Sequence, residues 1–221
     1  MIYTVGGIKG GSGKTTISTN LVVYLLKQGR DIILVDADDQ ESASDFAAFR
    51  LHTLEGNLGY TAVKITGSEL NASVAKLAEK YDDVIIDTGG RDTVSQRSAV
   101  SISHVYLVPF APRSLDVWTL GKVEKMIAEM KPFNPKLVCL AFINKADPRG
   151  SYKEEVAELL REATNIEFIE ASIGNRISFA NSVGAGLSVL ELKPTDDKAV
   201  KELEQLMNAI NKAVDNKSER R

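Results

Sequence analysis

The sequence predicts a doubly wound α/β fold, a mostly parallel sheet with helices on both faces. Short apolar runs rich in β-branched residues alternate with longer segments of helical period. The runs lack strict in/out alternation, as strands covered on both faces do. The first run leads into a glycine-rich turn that opens a helix, Lys9-Gly10-Gly11-Ser12-Gly13-Lys14-Thr15-Thr16, a strand–loop–helix unit built for an anionic ligand.

The elements follow in order. Strand Ile2–Val5 precedes helix Lys14–Gln28, and strand Asp31–Val35 closes the first crossover. Helix Ser68–Lys80, strand Val84–Asp87 and helix Asp92–Ser101 come next, then strand His104–Pro109 and helix Ser114–Met130. Strand Leu137–Asn144, helix Lys153–Ala163, strand Ile166–Ile169 and helices Asn175–Val183 and Lys198–Val214 complete the chain. Such alternation implies right-handed crossovers. With no internal repeat and no long linker, residues 1–214 read as one domain and 215–221 as a polar tail.

Composition narrows the function classes. Of 221 residues, 43% are hydrophobic and 26% charged, which excludes a disordered chain, a collagen-like fibre and a disulfide scaffold. The single cysteine, Cys139, lies in an apolar run and reads as a buried thiol in a reducing compartment. One cysteine and two histidines cannot furnish an iron–sulfur or structural zinc site. The N-terminus lacks a basic leader and no apolar stretch approaches the roughly 20 residues of a membrane span, so a cytoplasmic protein is expected. With 27 basic against 30 acidic side chains the net charge is −3, so any DNA contact must come from a local patch.

The phosphate loop carries the strongest signal. Gly10, Gly11 and Gly13 let backbone N–H groups, with that of Ser12, curl around phosphate oxygens without a Cβ clash. Lys14 is placed to reach the β- and γ-phosphates and the Thr15 hydroxyl to bind Mg²⁺, with Thr16 beside them as a further nucleotide-binding residue. The usual pattern has a fourth glycine where Ile8 stands. Asn144-Lys145-Ala146-Asp147 matches the motif with which many GTPases read guanine, and an amide and a carboxylate at a strand end could serve either purine.

The second loop lysine, Lys9, gives Lys-Gly-Gly-x-Gly-Lys-Thr-Thr. This resembles the deviant phosphate loop of the ParA/MinD family, dimeric ATPases that position DNA and other cargo, and most of all their short plasmid-partition members. The resemblance implies ATP with Mg²⁺, and a homodimer in which Lys9 crosses to the partner's phosphates. It also implies that Asn144 faces adenine. Asp36-Ala37-Asp38-Asp39-Gln40 resembles the family's Asp-x-Asp-Pro-Gln, with Asp39 in place of proline. Asp38 would then position the attacking water and Asp36 support the magnesium shell. Asp87, ending an apolar strand, fits the carboxylate that holds Mg²⁺ directly or through water. Thr88-Gly89-Gly90 would sense the γ-phosphate, glycine permitting the two backbone settings of a switch.

Two further stretches extend the likeness. Pro109–Asp116 resembles a segment of the family's dimer face, and Asn175–Ser178 with Gly186–Val189 resembles the approach to the last helix of partition ATPases. Trp118 and Phe179 read as core or interface anchors. Arg176, Lys193, Lys198 and Lys201 are the candidates for binding non-specific DNA, interleaved with Asp196, Asp197, Glu202 and Glu204. The implied function is plasmid segregation: an ATP dimer on nucleoid DNA, released when a small centromere-binding adaptor stimulates hydrolysis. The chain begins almost at the loop strand, so no N-terminal helix-turn-helix is expected. Alternatives are nucleoid-based positioning of a protein cargo and a membrane-cycling ATPase. The last helix carries an apolar stripe (Val200, Leu203, Leu206, Met207, Ile210, Val214), expected to pack into the core rather than insert into a membrane.

Overall fold

The computed structural model describes residues 1–112, 119–147 and 152–219. Strands β1 (Ile2–Val5), β2 (Ile32–Ala37), β3 (Thr61–Lys64), β4 (Asp83–Thr88), β5 (Val105–Phe110), β6 (Val138–Ala146) and β7 (Glu167–Gly174) form one sheet. Its order is β3-β2-β4-β1-β5-β6-β7, and every pairing is parallel. The helices are α1 (Lys14–Leu26), α2 (Ser42–Thr53), α3 (Leu70–Ala78), α4 (Val94–Ile102), α5 (Leu120–Met130), α6 (Tyr152–Arg161), α7 (Ile177–Gly184) and α8 (Asp197–Glu219).

Both faces of the sheet are covered, which accounts for the uninterrupted apolar runs. Alternate residues of one strand enter different cores: Leu140 and Phe142 of β6 join α1 and α8 residues such as Leu21 and Leu206. Cys139, Ala141 and Ile143 join α5 and α6 residues such as Met126 and Leu160. A third cluster places Ile33, Val35, Val84 and Ile86 under α3. Cys139 is buried, and that burial pushes its thiol up to about 12.

The sequence expectation omitted two elements, α2 and β3. The apolar residues of α2 do not line one stripe: Phe46 is buried while Phe49 and Leu51 are exposed, and the charged Arg50 between them is 2% exposed. Helical period is therefore masked. Strand β3 is a four-residue edge strand, half-buried at three of its positions, too short for a pattern to register. The final helix also runs beyond the expected Val214 to Glu219, with Lys217 paired to Glu167 at 3.1 Å. Its Leu203, Leu206, Met207 and Ile210 are buried in the core. No helix among the described residues is long and apolar enough to cross a membrane. Trp118 and residues 113–116 of the expected dimer-face segment lie outside the described residues.

Arg50 fastens α2 to the chain that follows α7. Its guanidinium donates to both carboxylate oxygens of Glu191 at 2.7 and 2.8 Å and to the carbonyls of Leu58 and Gly186 at 3.0 and 3.2 Å. Gly186 has φ +67, and a methyl there would lie 2.2 Å from the Arg50 backbone nitrogen, so only glycine admits this approach. Despite the penalty of burial, hydrogen bonds from Arg50 and the Ser188 backbone hold Glu191 below the usual carboxylate range. Arg50→Ala is expected to lower unfolding free energy by about 3 kcal/mol, because a partly buried carboxylate loses its partner. Denaturant titration measures this; a change near zero would show that α2 is not held by the pair.

Candidate functional site

The carboxyl ends of β1, β2 and β4 bring the loops together. The chain leaves β1 towards one side of the sheet and β5 towards the other, and ligands bind at such a switch point in open α/β sheets. Asp36 and Asp87 are neighbours in register, as are Val5 and Asp87. The residues read as binding phosphate, metal and water therefore meet at one edge.

The phosphate loop joins β1 to α1. Gly11 (φ +78) and Gly13 (φ +91) adopt the left-handed conformations glycine favours. Lys145 Nζ donates to the Gly11 carbonyl at 2.8 Å, and Asn144 Nδ2 donates to the Ser12 carbonyl at 2.7 Å. Because the peptide group is planar, carbonyls held from the β6 side turn the next N–H groups, those of Ser12 and Gly13, the other way. A methyl at Gly10 or Gly11 would meet nothing within 4 Å, so the cradle is open there. Lys14 is buried, and its ammonium donates to the Lys9 carbonyl at 2.9 Å. Ile8, in place of the usual glycine, is half-buried against the core under α5.

Thr15 Oγ1 donates to Asp87 Oδ2 at 2.7 Å, and Ser18 Oγ to Asp87 Oδ1 at 2.9 Å. Sequence reasoning missed Ser18, one turn beyond Thr15 on the same helix face. This pairing of hydroxyl and carboxylate is an all-oxygen donor set, and it fits Mg²⁺, which binds through one or two protein oxygens plus phosphates and water. Burial pushes Asp87 up to about 7; the Thr15 and Ser18 hydroxyls oppose the shift, Asp36 adds to it and Lys14 opposes it. The folded-state value lies above the unfolded one, so this group's stabilising contribution is full below the ordinary carboxylate range and lost as pH rises through 7. The ligand-free protein is expected to lose thermal stability between about pH 4 and pH 7, with Asp87→Asn flattening the profile. A melting curve whose pH slope is unchanged by the substitution would assign the loss elsewhere.

The acidic loop after β2 is held by its own carboxylates. Asp36 Oδ1 accepts from Asp38 N at 3.1 Å, and Asp36 Oδ2 accepts from the backbone and hydroxyl of Ser44 at 2.8 and 2.7 Å. Asp36 therefore anchors the first turn of α2, and Ser44 is a second residue that sequence reasoning missed. Glu41 starts α2 at φ +57 and pairs with Lys64. Asp38 is half-buried and abuts the segment after β4: a methyl at Gly89 would lie 2.8 Å from Asp38 Oδ1. A methyl at Gly90 would lie 2.5 Å from the backbone nitrogen of Gly10. The Thr88–Gly90 segment is thus wedged between Asp38 and the phosphate loop. Its far end is fixed by Asp92, which accepts two 2.7 Å hydrogen bonds from Arg97.

Beside the loop lies a cleft of about 150 Å³ whose walls include Thr16, Asn144, Lys145, Asn175, Arg176 and Phe179. Asn144 is 2% exposed and sits on this wall with its amide nitrogen committed to the loop. Asp147, from the same motif, is exposed and not among the lining residues. Arg176 also differs from a free surface cation: it is half-buried in the cleft wall and bonds Glu202 at 2.9 and 2.6 Å. Its charge is offset there, whereas Lys193, Lys198 and Lys201 are exposed. Phe179 is buried in the core.

A parallel sheet with a glycine-rich phosphate cradle, an adjoining hydroxyl–carboxylate pair and a flanking cleft defines a phosphate-loop nucleotide-binding protein. Residues 3–189 match the CobQ/CobB/MinD/ParA nucleotide-binding domain, and the chain belongs to that family. It is 27% identical over 207 residues to maintenance of carboxysome distribution protein A of Halothiobacillus neapolitanus, covering 93% of this chain and 94% of that one. Among solved structures, apo McdA from Cyanthece has a TM-score of 0.80 at 16% identity, with 95% of this chain and 98% of that chain covered. A putative plasmid partition protein from Borrelia burgdorferi bound to AMPPNP has a TM-score of 0.76 at 19% identity, covering 96% and 98%.

Proposed function

We propose that this chain is a ParA-type ATPase. ATP joins two copies, the dimer binds DNA without sequence preference, and an adaptor bound to the cargo stimulates hydrolysis and release. The observation that carries the reading is the phosphate loop with lysines at both ends, Lys9 and Lys14, closed on one side by the Gly89–Gly90 segment. Lys14 binds the β- and γ-phosphates of its own nucleotide, and Lys9 reaches those of the partner. Asp38 orients the attacking water, and Asp36, which accepts from the Asp38 backbone nitrogen, would support the magnesium shell. Thr15 and Asp87 would hold Mg²⁺, which when bound supplies neutralisation of charge on the β- and γ-phosphate oxygens. Thr88–Gly90 follows the γ-phosphate, and the cleft by Asn144 receives the adenine. The protein acts in the cytoplasm on nucleoid DNA.

Plasmid segregation is the cargo reading that the loop resemblance favours. A protein compartment is the second reading, favoured by likeness over nearly the whole chain to a carboxysome-distribution protein. The shared cycle is tested by binding to non-specific duplex DNA with ATP, ADP or no nucleotide, at about 50 and 200 mM salt. ATP-only binding that weakens steeply with salt is the expected result, since contacts made by phosphate neutralisation double on dimerisation. Equal binding in all three states, or none, would overturn the cycle. Lys193, Lys198 and Lys201 are the positions whose charge reversal should weaken that binding.

A further inference from the structure

Gln96, in the first turn of α4, has a buried amide that the cycle above does not use. Its surroundings fix its orientation. One side faces the carbonyl oxygens of Gly7 and Gly89 at 3.2 Å and of Arg91 at 3.3 Å, with Thr88 Oγ1 also at 3.2 Å. The other side faces the Tyr106 hydroxyl and the Met126 sulfur, each at 3.3 Å. Carbonyl oxygens only accept, so the amide nitrogen belongs among them, and the amide oxygen accepts from Tyr106. The Thr88 hydroxyl then donates onward to the Val5 carbonyl at 3.1 Å. A relay from Tyr106 through Gln96 and Thr88 to Val5 thus crosses β5, β4 and β1.

The amide nitrogen has two protons for four acceptors. Gly7 leads into the phosphate loop, whereas Gly89 and Arg91 flank the glycine wedged against it. We propose that Gln96 is a positioning residue coupling the two loops. It holds the 88–91 segment on the phosphate loop, and the hydrogen bonds its two N–H groups donate are redistributed among the Gly7, Thr88, Gly89 and Arg91 oxygens when the segment moves. An unpaired buried donor is costly, so a donor with spare acceptors lets the segment change position without that cost. The inference rests on the reading of Thr88–Gly90 as the segment that follows the γ-phosphate.

The test compares wild type, Gln96→Leu, Tyr106→Phe and the double variant. Hydrogen exchange of the 88–93 backbone is followed with ADP and with a non-hydrolysable ATP analogue, alongside ADP affinity and steady-state turnover. In wild type the two nucleotides should protect the segment differently. Gln96→Leu should erase that difference and lower kcat roughly 10-fold while ADP affinity stays within about 2-fold, as loss of a hydrogen bond to one conformational state predicts. Tyr106→Phe should act in the same direction and more weakly, and the double variant should fall short of the product of the single effects. A general loss of packing would instead lower nucleotide affinity and turnover together. Persistence of the exchange difference in Gln96→Leu, with kcat near wild type, would overturn the role of Gln96 alone. No difference in wild type would overturn the switch reading itself, and the proposal with it. Should Gln96→Leu fail to fold, Tyr106→Phe, which keeps the ring in place, carries the weaker prediction of a reduced exchange difference and a lower kcat, and wild-type values of both would overturn the role.

Discussion

Lys14→Ala is expected to abolish ATP binding, with affinity lowered at least about 100-fold, or roughly 2.7 kcal/mol. The ammonium is buried at the start of α1 and already turned over the loop, where it donates to the Lys9 carbonyl. Its charge therefore faces the cradle rather than solvent, and nothing else in the loop itself replaces it: Lys9 sits five residues earlier, at the other end. Isothermal titration with ATP and ADP measures the loss, and a thermal scan without nucleotide checks the fold. Affinity close to wild type would remove the loop from its assigned role. Both nucleotides should be affected, because the β-phosphate contact is common to them.

Asp38→Ala should separate binding from turnover. Hydrolysis is expected to fall by about 10²–10⁴-fold, the range for a positioned group that handles the water proton. ATP affinity should persist, because the cradle is built by residues 10–16 and held by Asn144 and Lys145. An ATP-bound dimer should accumulate, visible as a doubled mass on size-exclusion chromatography with ATP. Hydrolysis at the wild-type rate would exclude Asp38 as the residue that orients water. The same variant opens space beside Gly89, whose Cα faces the Asp38 carboxylate, so greater exchange in that segment should accompany the loss.

The parts of this site that were legible in the sequence are those whose chemistry is local. Lys9 to Thr16 needed only spacing, a preceding strand and a following helix. Asp87 stood out because an apolar run ended on a carboxylate. The hidden parts depend on contacts that only the folded chain makes. Ser44 matters because it meets Asp36, and Gln96 because carbonyls of residues 7, 89 and 91 surround it. Backbone acceptors leave no trace in residue identity. The sequence motif assigns Asn144 to a base edge, yet its amide nitrogen donates to the Ser12 carbonyl 132 positions away. In the fold, α2 was hidden because it exposes phenylalanine and buries arginine, the reverse of the pattern a surface helix shows.

The fastening of α2 at both ends limits how far the loop that carries Asp38 can move. Asp36 grips the first turn through Ser44, and Arg50 grips Glu191 and the Gly186 carbonyl at the other end. The stretch between β2 and α2 is then a short tether between two fixed posts. A tether of that length has few shapes to sample, so its disorder is lost when the chain folds and not again at each turnover. Asp39, standing where a ring-stiffened residue is usual in similar loops, gives up some backbone rigidity, and the posts make up for it from outside the loop.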